Sequence, residues 1–453
     1  MAPSRASIAL LQRSFITAHP ACLILDVLRS RSLLVSVPAR RFLRSASSTT
    51  TNGSGAAAKV APLDGVRVLD MTRVLAGPYC TQILGDLGAE VIKIEHPTRG
   101  DDTRAWGPPY ANYKNDALVK GGRPGESAYF IGSFRMKQVN RNKKSMALSF
   151  QHPEGVKILH ELAKTSDVLV ENYIPGTDES CYGQTGPYSP RAGYDVMVEA
   201  EMGLMHITGE RDGTPVKVGV AVTDLTTGLY TCNAIMASLL ARQKTGTGQH
   251  LDVALSDCQV ATLANIASSV LISGERDGGR WGTAHPSIVP YKGFKTSDGD
   301  IMLGGGNDRL FGVICDKLGK AEWKTDERFV TNDRRVQNRV ELEHMIEQIT
   351  RTKTTKQWLD VLEGSGMPYA AINDVKDTLD HEHVRARGMV SEVEHPSCGP
   401  IKLVSPPVKY SESATGIRSP PPTLGQHTDT VLTEILGWRG EDVQRLKDQG
   451  VVA

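Results

Sequence analysis

The chain of 453 residues sets 52 Lys and Arg against 51 Asp and Glu, with 40% hydrophobic and 23% charged residues. That balance leaves no basic surplus for nucleic acid, and no uninterrupted apolar run approaches the ~20 residues of a membrane-spanning helix. Neither a nucleic-acid nor a membrane partner is expected, and the length suffices for a sizeable core split between two domains.

Residues 1–48 stand apart. They hold seven Arg, no Lys, one acid (Asp26) and many Ser and Ala. This is transit-peptide composition, with Ala39-Arg-Arg-Phe-Leu-Arg-Ser-Ala46 as a processing site, and it predicts delivery to the mitochondrial matrix. Residues 49–61 continue a low-complexity run that reads as a disordered linker. Without residues 1–48 the chain keeps 45 basic against 50 acidic residues, a formal charge of −5. The seven cysteines form no CxxC pair and show no metal-ligand spacing. They read as reduced thiols with no metal, which suits a matrix compartment.

Val66-Arg-Val-Leu-Asp70 predicts a strand, Ala76-Gly-Pro78 opens a helix through Leu87, and Gly88-Ala-Glu-Val-Ile-Lys-Ile-Glu95 is a second strand. This is a βαβ unit of the doubly wound kind. The turn after the first strand is Thr72-Arg-Val-Leu-Ala-Gly-Pro78 rather than GxGxxG, which speaks against an NAD-dependent oxidoreductase despite Glu95. A polar loop, Gly100 to Pro108, leads to a Gly/Lys-rich exposed excursion ending near Glu126. The basic cluster Asn140-Arg-Asn-Lys-Lys144 precedes a strand and reads as a solvated turn or a phosphate contact. An amphipathic helix over His152–Lys164, a strand Asp167–Asn172 and the turn Tyr173-Ile-Pro-Gly176 follow.

Pro215 to Gly246 forms the centre of the chain. An apolar β-type run ends at Thr223-Asp224, and Leu225, Leu229, Cys232, Met236, Leu239 and Leu240 then recur at helical spacing. Asp224 therefore reads either as a helix N-cap or as a small nucleophile presented at the end of a buried strand. Gln249–Leu255 predicts another strand, Phe294–Leu303 a hairpin, and Arg309–Leu318 and Arg339–Thr350 two amphipathic helices. The domain reading is a large domain over 62–275, a small α+β domain over 285–390, and 391–453 returning to the first.

Taken together, Leu69-Asp-Met-Thr-Arg-Val-Leu-Ala-Gly-Pro78, Gly85-Asp-Leu-Gly-Ala-Glu-Val-Ile-Lys-Ile-Glu95, Asn142-Lys-Lys-Ser145, Glu171-Asn-Tyr173, Tyr182-Gly-Gln-Thr-Gly-Pro187, Gly193-Tyr-Asp195 and Asp224 resemble the class III CoA-transferases. The resemblance implies an α/β fold with a Rossmann-like large domain and a smaller α+β domain, assembled as an interlocked homodimer. It also implies that Asp224 is the catalytic nucleophile, with coenzyme A thioesters as substrates and no tightly bound cofactor. By position it places Leu75, Ala76, His96, Leu148, Ser149, Phe150, Gln151, Asn172, Tyr173, Tyr194 and Asp195 against CoA. His96 stands where an arginine is usual, so Arg99 is the alternative phosphate contact.

Arg104-Ala-Trp-Gly-Pro-Pro109, Gly203-Leu-Met-His-Ile-Thr-Gly209, Arg280-Trp-Gly-Thr-Ala-His285 and Glu363-Gly-Ser-Gly-Met-Pro-Tyr369 are similar to family members acting on dicarboxylic acids. That implies succinyl-CoA as donor and a glutarate- or hydroxymethylglutarate-type acceptor. A distal carboxylate is best held by a bidentate arginine, and the candidates are Arg104, then Arg73 and Arg280. Donors for tetrahedral intermediates are expected from the amides of Leu225 and Thr226 or the glycines Gly304, Gly305 and Gly306. Racemases of the same fold use a histidine where this chain has Tyr194; a phenol of pKa about 10 is a poor base at neutral pH.

Five residues separate Gly176 from Tyr182, where the resemblance implies about two dozen more. A parallel crossover needs about a dozen or more. The expectation is a missing βα element near 176–182, and with it the alternative of a catalytically impaired CoA-binding protein.

Overall fold

The computed structural model describes residues 59–114, 125–131, 139–173 and 181–453. The 1–48 leader, the linker up to 58, the body of the excursion before Glu126 and residues 176–180 of the shortened segment lie outside them. The chain divides into two compact units, one comprising 1–192, 227–253 and 391–453, the other 193–226 and 254–390.

In the first unit, β1 (Arg67–Met71), α1 (Ala76–Asp86) and β2 (Glu90–Glu95) form the βαβ unit read from the sequence. A short antiparallel pair, β3 (Tyr110–Asn112) and β4 (Gly125–Ser127), follows, then β5 (Lys143–Ala147), α2 (Pro153–Thr165) and β6 (Val168–Glu171). The order β5-β2-β1-β6 is all parallel, so of four parallel strands the third, second, first and fourth lie side by side. The chain adds β2 and β5 on one side of β1 and β6 on the other, so the strand order reverses between β1 and β6, the switch point of a doubly wound sheet.

Alternating side chains explain why both faces are buried. Leu69, Ile92 and Met146 point into one cluster with Ile158, Leu159 and Leu162 of α2 and with Val431, Leu432, Val443 and Leu446 from the C-terminal segment. Their neighbours Val68, Val91 and Val170 point into another, with Cys80 and Leu84 of α1 and with Cys232 and Ile235. This two-sided apolar pattern is what a parallel sheet covered by helices requires.

The basic cluster is internal rather than solvated. Arg141 pairs with Asp86 at 2.6 Å, and the fully buried Lys143 reaches Asp70 at 2.9 Å. Only Lys144 is partly exposed, pairing with Glu90.

The second unit holds α3 (Asp195–Glu201), α4 (Leu204–Ile207), the first turn of α5 (Val222–Thr245), α6 (Leu255–Thr262) and α7 (Ala264–Ser273). It continues with an antiparallel sheet of β7 (Tyr291–Lys295), β8 (Asp300–Gly304) and β9 (Tyr369–Ala371). Phe294, Ile301 and Leu303 of that sheet share a core with Phe311, Ile314, Leu342, Ile346 and Trp358 from the helices Asp308–Lys317, Arg339–Thr350 and Thr355–Leu362.

Two expectations differ here. Residues 193–226 and 254–275 cluster with the second unit rather than the large domain, because α3 packs on α6 within it. The β-type runs at 215–222 and 249–255 form no strand. Val216 and Val220 are half-exposed, and residues with strand propensity stay irregular when no neighbour supplies ladder hydrogen bonds.

Candidate active site

The carboxyl ends of all four parallel strands open into one cleft of about 210 Å³. Its walls are Thr72 and Arg73 after β1, Ile94, Glu95 and His96 at the end of β2, Leu148 to Gln151 after β5, and Tyr173 after β6, with the loop Arg99–Asp102 above. Ligands of open α/β sheets bind at this position. The volume is below the roughly 300–1,000 Å³ of small-molecule sites, so the cleft takes one portion of a large ligand.

The loop after β1 is held in a demanding shape. Val74 has φ 67°, a left-handed conformation that β-branched residues rarely adopt. Arg73 N–H donates to Asn172 Oδ1 and Asn172 Nδ2 donates back to Arg73 O, both at 3.0 Å, so β1 and β6 are laced together at the switch point. Gly77 is required there, since a Cβ would meet Thr72 Cγ2 at 2.4 Å. Such strain persists only where the surroundings over-determine it.

Under the cleft lies a closed charge network. Lys93, fully buried, donates to Thr72 O at 2.7 Å and pairs with Asp101 at 2.9 Å. Burial opposes its charge, but Asp101, Asp70 and Glu95 outweigh that and hold its pKa above the usual lysine value. Burial would raise Asp70, yet Lys143 and Lys93 bring it down to about 2. Burial lowers Lys143 to about 8 even beside Asp70. These charges fix the strand ends rather than face a ligand.

The cleft's own ionic character is set by what remains. Asp102 is bound to Arg73 at 2.6 Å. His96 is held below its ordinary value by burial and by Arg99. Arg99 is exposed, lines the cleft and has no acidic partner among the described residues.

Of the residues assigned to CoA, His96, Leu148, Ser149, Phe150, Gln151 and Tyr173 line this cleft. Asn172 braces its wall, and Leu75 and Ala76 open α1 beside it. Tyr194 and Asp195 belong to the second unit. Ile94, Gly100, Asp101 and Asp102 are not among the residues singled out from the sequence; the polar composition of the Gly100–Pro108 loop points to the last three, and nothing points to Ile94.

The arginines separate. Arg73 lines the cleft with its guanidinium 5.5 Å from the Tyr173 ring centroid. Arg104, the first candidate for the distal carboxylate, is 5% exposed and forms a bidentate pair with Glu95 at 2.6 and 2.7 Å, stacked 3.4 Å over Phe130. It is a structural group below the surface. Arg280 donates to the carbonyls of His206 and Gly213 at 3.1 and 2.8 Å and clamps a loop of its own unit.

Asp224 sits in the first turn of α5 rather than before it, because the helix begins at Val222. Its backbone N–H donates to Asp195 Oδ1 at 3.0 Å, and Thr223 Oγ1 donates to Gln259 Oε1 at 2.6 Å. The donors expected for tetrahedral intermediates are largely used: Leu225 N–H goes to Ala221 O, Gly304 N–H to Pro368 O and Gly305 N–H to Pro290 O. Gly306, exposed beside them, is the member of that glycine run for which no such bond is formed among the described residues. The positive end of the 24-residue helix remains as a source of anion stabilisation at Asp224.

A parallel sheet of Rossmann-like order with a cleft at its strand ends defines an α/β scaffold of the kind that binds ligands there. The model of CoA-transferase family III matches residues 63–181 and 177–428; the chain belongs to that family and is a CoA-transferase. It is 46% identical over 412 residues to succinyl-CoA:glutarate CoA-transferase of Mus musculus, covering 86% of this chain and 90% of that protein. It is 39% identical over 395 residues to succinate–glutarate CoA-transferase of Agrobacterium fabrum, covering 83% and 96%. The crystal structure of a CAIB/BAIF family protein from Brucella suis superposes with a TM-score of 0.73 at 37% identity, covering 83% of this chain and all of that one.

Proposed function

We propose that this chain moves CoA from succinyl-CoA to a dicarboxylic acid of the glutarate type, with Asp224 as the nucleophile. The observation that carries the reading is the convergence of six assigned CoA residues on one cleft at the strand ends. The substrates follow the names of the relatives at 46% and 39% identity.

In this mechanism an Asp224 oxygen attacks the thioester carbonyl of succinyl-CoA. The C–S bond breaks, CoA leaves as thiolate, and a mixed anhydride remains. The thiolate then attacks the Asp224 carbonyl, succinate departs, and an aspartyl-CoA thioester forms. Glutarate repeats the sequence in reverse, releasing glutaryl-CoA and the original carboxylate. Thioester energy is conserved and no net proton moves. Arg73 and Arg99 supply positive charge in the cleft, Arg99 for a CoA phosphate.

The test is to incubate the protein with succinyl-CoA and glutarate, trap with hydroxylamine or borohydride, and read the mass at Asp224. Asp224→Asn is expected to abolish labelling and lower turnover by about a thousandfold or more. A variant that exchanges thioesters at the wild-type rate refutes the assignment.

One observation favours a second reading, an impaired CoA-binding form. The family match breaks into two stretches that meet at 177–181, where five residues stand for a βα element. Normal transfer by the purified chain refutes impairment.

We also propose matrix targeting by residues 1–48, tested by the N-terminus of protein recovered from mitochondria, and an interlocked homodimer. Leu271 and Ile272 on α7 are 84% and 86% exposed, a patch suited to burial against a second copy. Among the described residues no single helix is long and apolar enough to cross a membrane, though the bent pair α6–α7 passes by length and composition. A monomer in sedimentation at micromolar concentration refutes the dimer.

A further inference from the structure

The segment that delivers Asp224 is held at both ends by one helix. Asp195 and Glu199 lie four residues apart on α3 and so share a face. Glu199 Oε2 accepts from Val218 N–H at 3.0 Å, and Asp195 Oδ1 accepts from Asp224 N–H at 3.0 Å. The two carboxylates thus pin the start and the end of 218–224. Glu199 is fully buried, and its Oε1 meets no donor among the described residues. The group beside it is the Asp195 carboxylate. Glu199 is buried and Asp195 half-buried, and two neighbouring carboxylates, one of them out of water, do not both ionise without a cost; among the described residues no group of three or more His, Cys, Asp or Glu could hold a metal in their place.

We infer that Glu199 is a positioning residue that carries a proton on the acid side of neutrality and donates it from Oε1 to Asp195, so that the pair holds Asp224 in place. This rests on Asp224 being the nucleophile. Burial raises the Glu199 carboxyl from its ordinary value to about 7, and Asp195 adds to the effect. The Val218 N–H and Lys217 oppose it. Other titratable groups on the elements packed around α3 are Glu201 on the same helix, His206 on α4, Asp257 and Cys258 on α6 and Asp224 itself. As pH rises through neutrality Glu199 loses its proton to solvent, the carboxylates repel, and the clamp loosens.

The sign follows from linkage. A folded-state value above the unfolded 4.5 gives stability that is whole below 4.5 and lost by about 7, with no further change above. Relative to Glu199→Gln, wild type should therefore lose unfolding stability between those values. Infrared difference spectra of wild type should show a protonated carboxyl that titrates near neutrality and is missing in Glu199→Gln. The wild-type kcat should fall about threefold or more from pH 6 to 8.5 at constant KM, while Glu199→Gln, which keeps a donor to Asp195, stays level. Glu199→Ala should be slow at every pH.

Absence of the wild-type carboxyl band, or of the stability slope, overturns the protonation, and both are read even in a chain that does not turn over. A wild-type profile with no alkaline fall, or one that Glu199→Gln retains, overturns the positioning role. Asp224→Asn separates the two ideas: it should remove turnover and leave the Glu199 band unchanged. Full turnover in that variant with the band intact sinks the nucleophile alone.

Discussion

Replacing Arg104 with alanine distinguishes a structural arginine from a substrate contact. In the folded chain its guanidinium makes two bonds to Glu95 and one at 3.2 Å to Pro422 O, and covers Phe130. Both side chains are almost wholly buried, at 6% and 1% exposure. Truncation leaves Glu95 with Ser145 Oγ at 2.6 Å and the Asp101 N–H at 3.0 Å, neutral donors that stabilise a carboxylate only in part. Breaking a buried pair from one side costs roughly 3–5 kcal/mol, and the lost stacking on Phe130 adds about 1 kcal/mol. The expected loss is about 5 kcal/mol, several thousandfold in the folding equilibrium. Burial raises the Glu95 carboxyl, and Arg104 together with Lys93 and Ser145 more than offsets it; without Arg104 the group takes up a proton more readily. The deficit should therefore be largest at pH 7 and shrink toward pH 4. Denaturant unfolding at both pH values measures it, and the double variant Glu95→Gln/Arg104→Met should recover most of the loss. A deficit below about 1 kcal/mol, together with a raised KM for the dicarboxylic acid and an unchanged one for the CoA thioester, would refute the structural assignment.

Arg99→Ala should raise KM for a CoA thioester by about tenfold, close to 1.4 kcal/mol, and leave that of the 3′-dephospho analogue nearly unchanged if the contact is to that phosphate; equal effects on both would place the contact elsewhere. Asp70, held at about 2 against an ordinary 3.8, gives stability that is present above 3.8 and lost as pH falls toward 2. Acid titration followed by near-ultraviolet circular dichroism should show that loss in wild type and a flatter curve, from a lower starting stability, in Asp70→Asn.

What the sequence makes legible here is local periodicity, and what it hides is the partner. The strand, helix and strand from Val66 to Glu95 appear within a residue or two of expectation, because alternating Val, Leu and Ile and the apolar face of α1 are read from neighbours in the chain. Arg339–Thr350 falls where the 3.6-residue spacing puts it. The run from Pro215 to Val222 carries the same β-type alternation, yet strand formation depends on a ladder from another segment, and among the described residues none is offered. Asn140 to Lys144 misleads for the complementary reason: a basic cluster is solvated unless buried acids meet it, and Asp86 at the end of α1 and Asp70 in β1 come from 55 and 73 residues away. The same logic governs the site. His96, Phe150 and Tyr173 were identified through family resemblance, whereas Arg104 could be recognised as internal only once Glu95 and Phe130 were seen around it.

The strand order bears on what the shortened segment removes. With the third, second, first and fourth strands side by side, the switch point lies between β1 and β6, and among the described residues β6 pairs with β1 alone. The βα element proposed to be absent after Gly176 would follow β6, whose outer edge pairs with no strand among the described residues. The cleft itself is built from the ends of β1, β2, β5 and β6 and is laced by the Arg73–Asn172 bonds, all N-terminal to the shortened stretch. The half of the sheet that cradles the ligand is therefore complete without that element. On the proposed reading its loss would bear on the edge of β6 and on Val168 and Val170, first on stability and only second on ligand recognition.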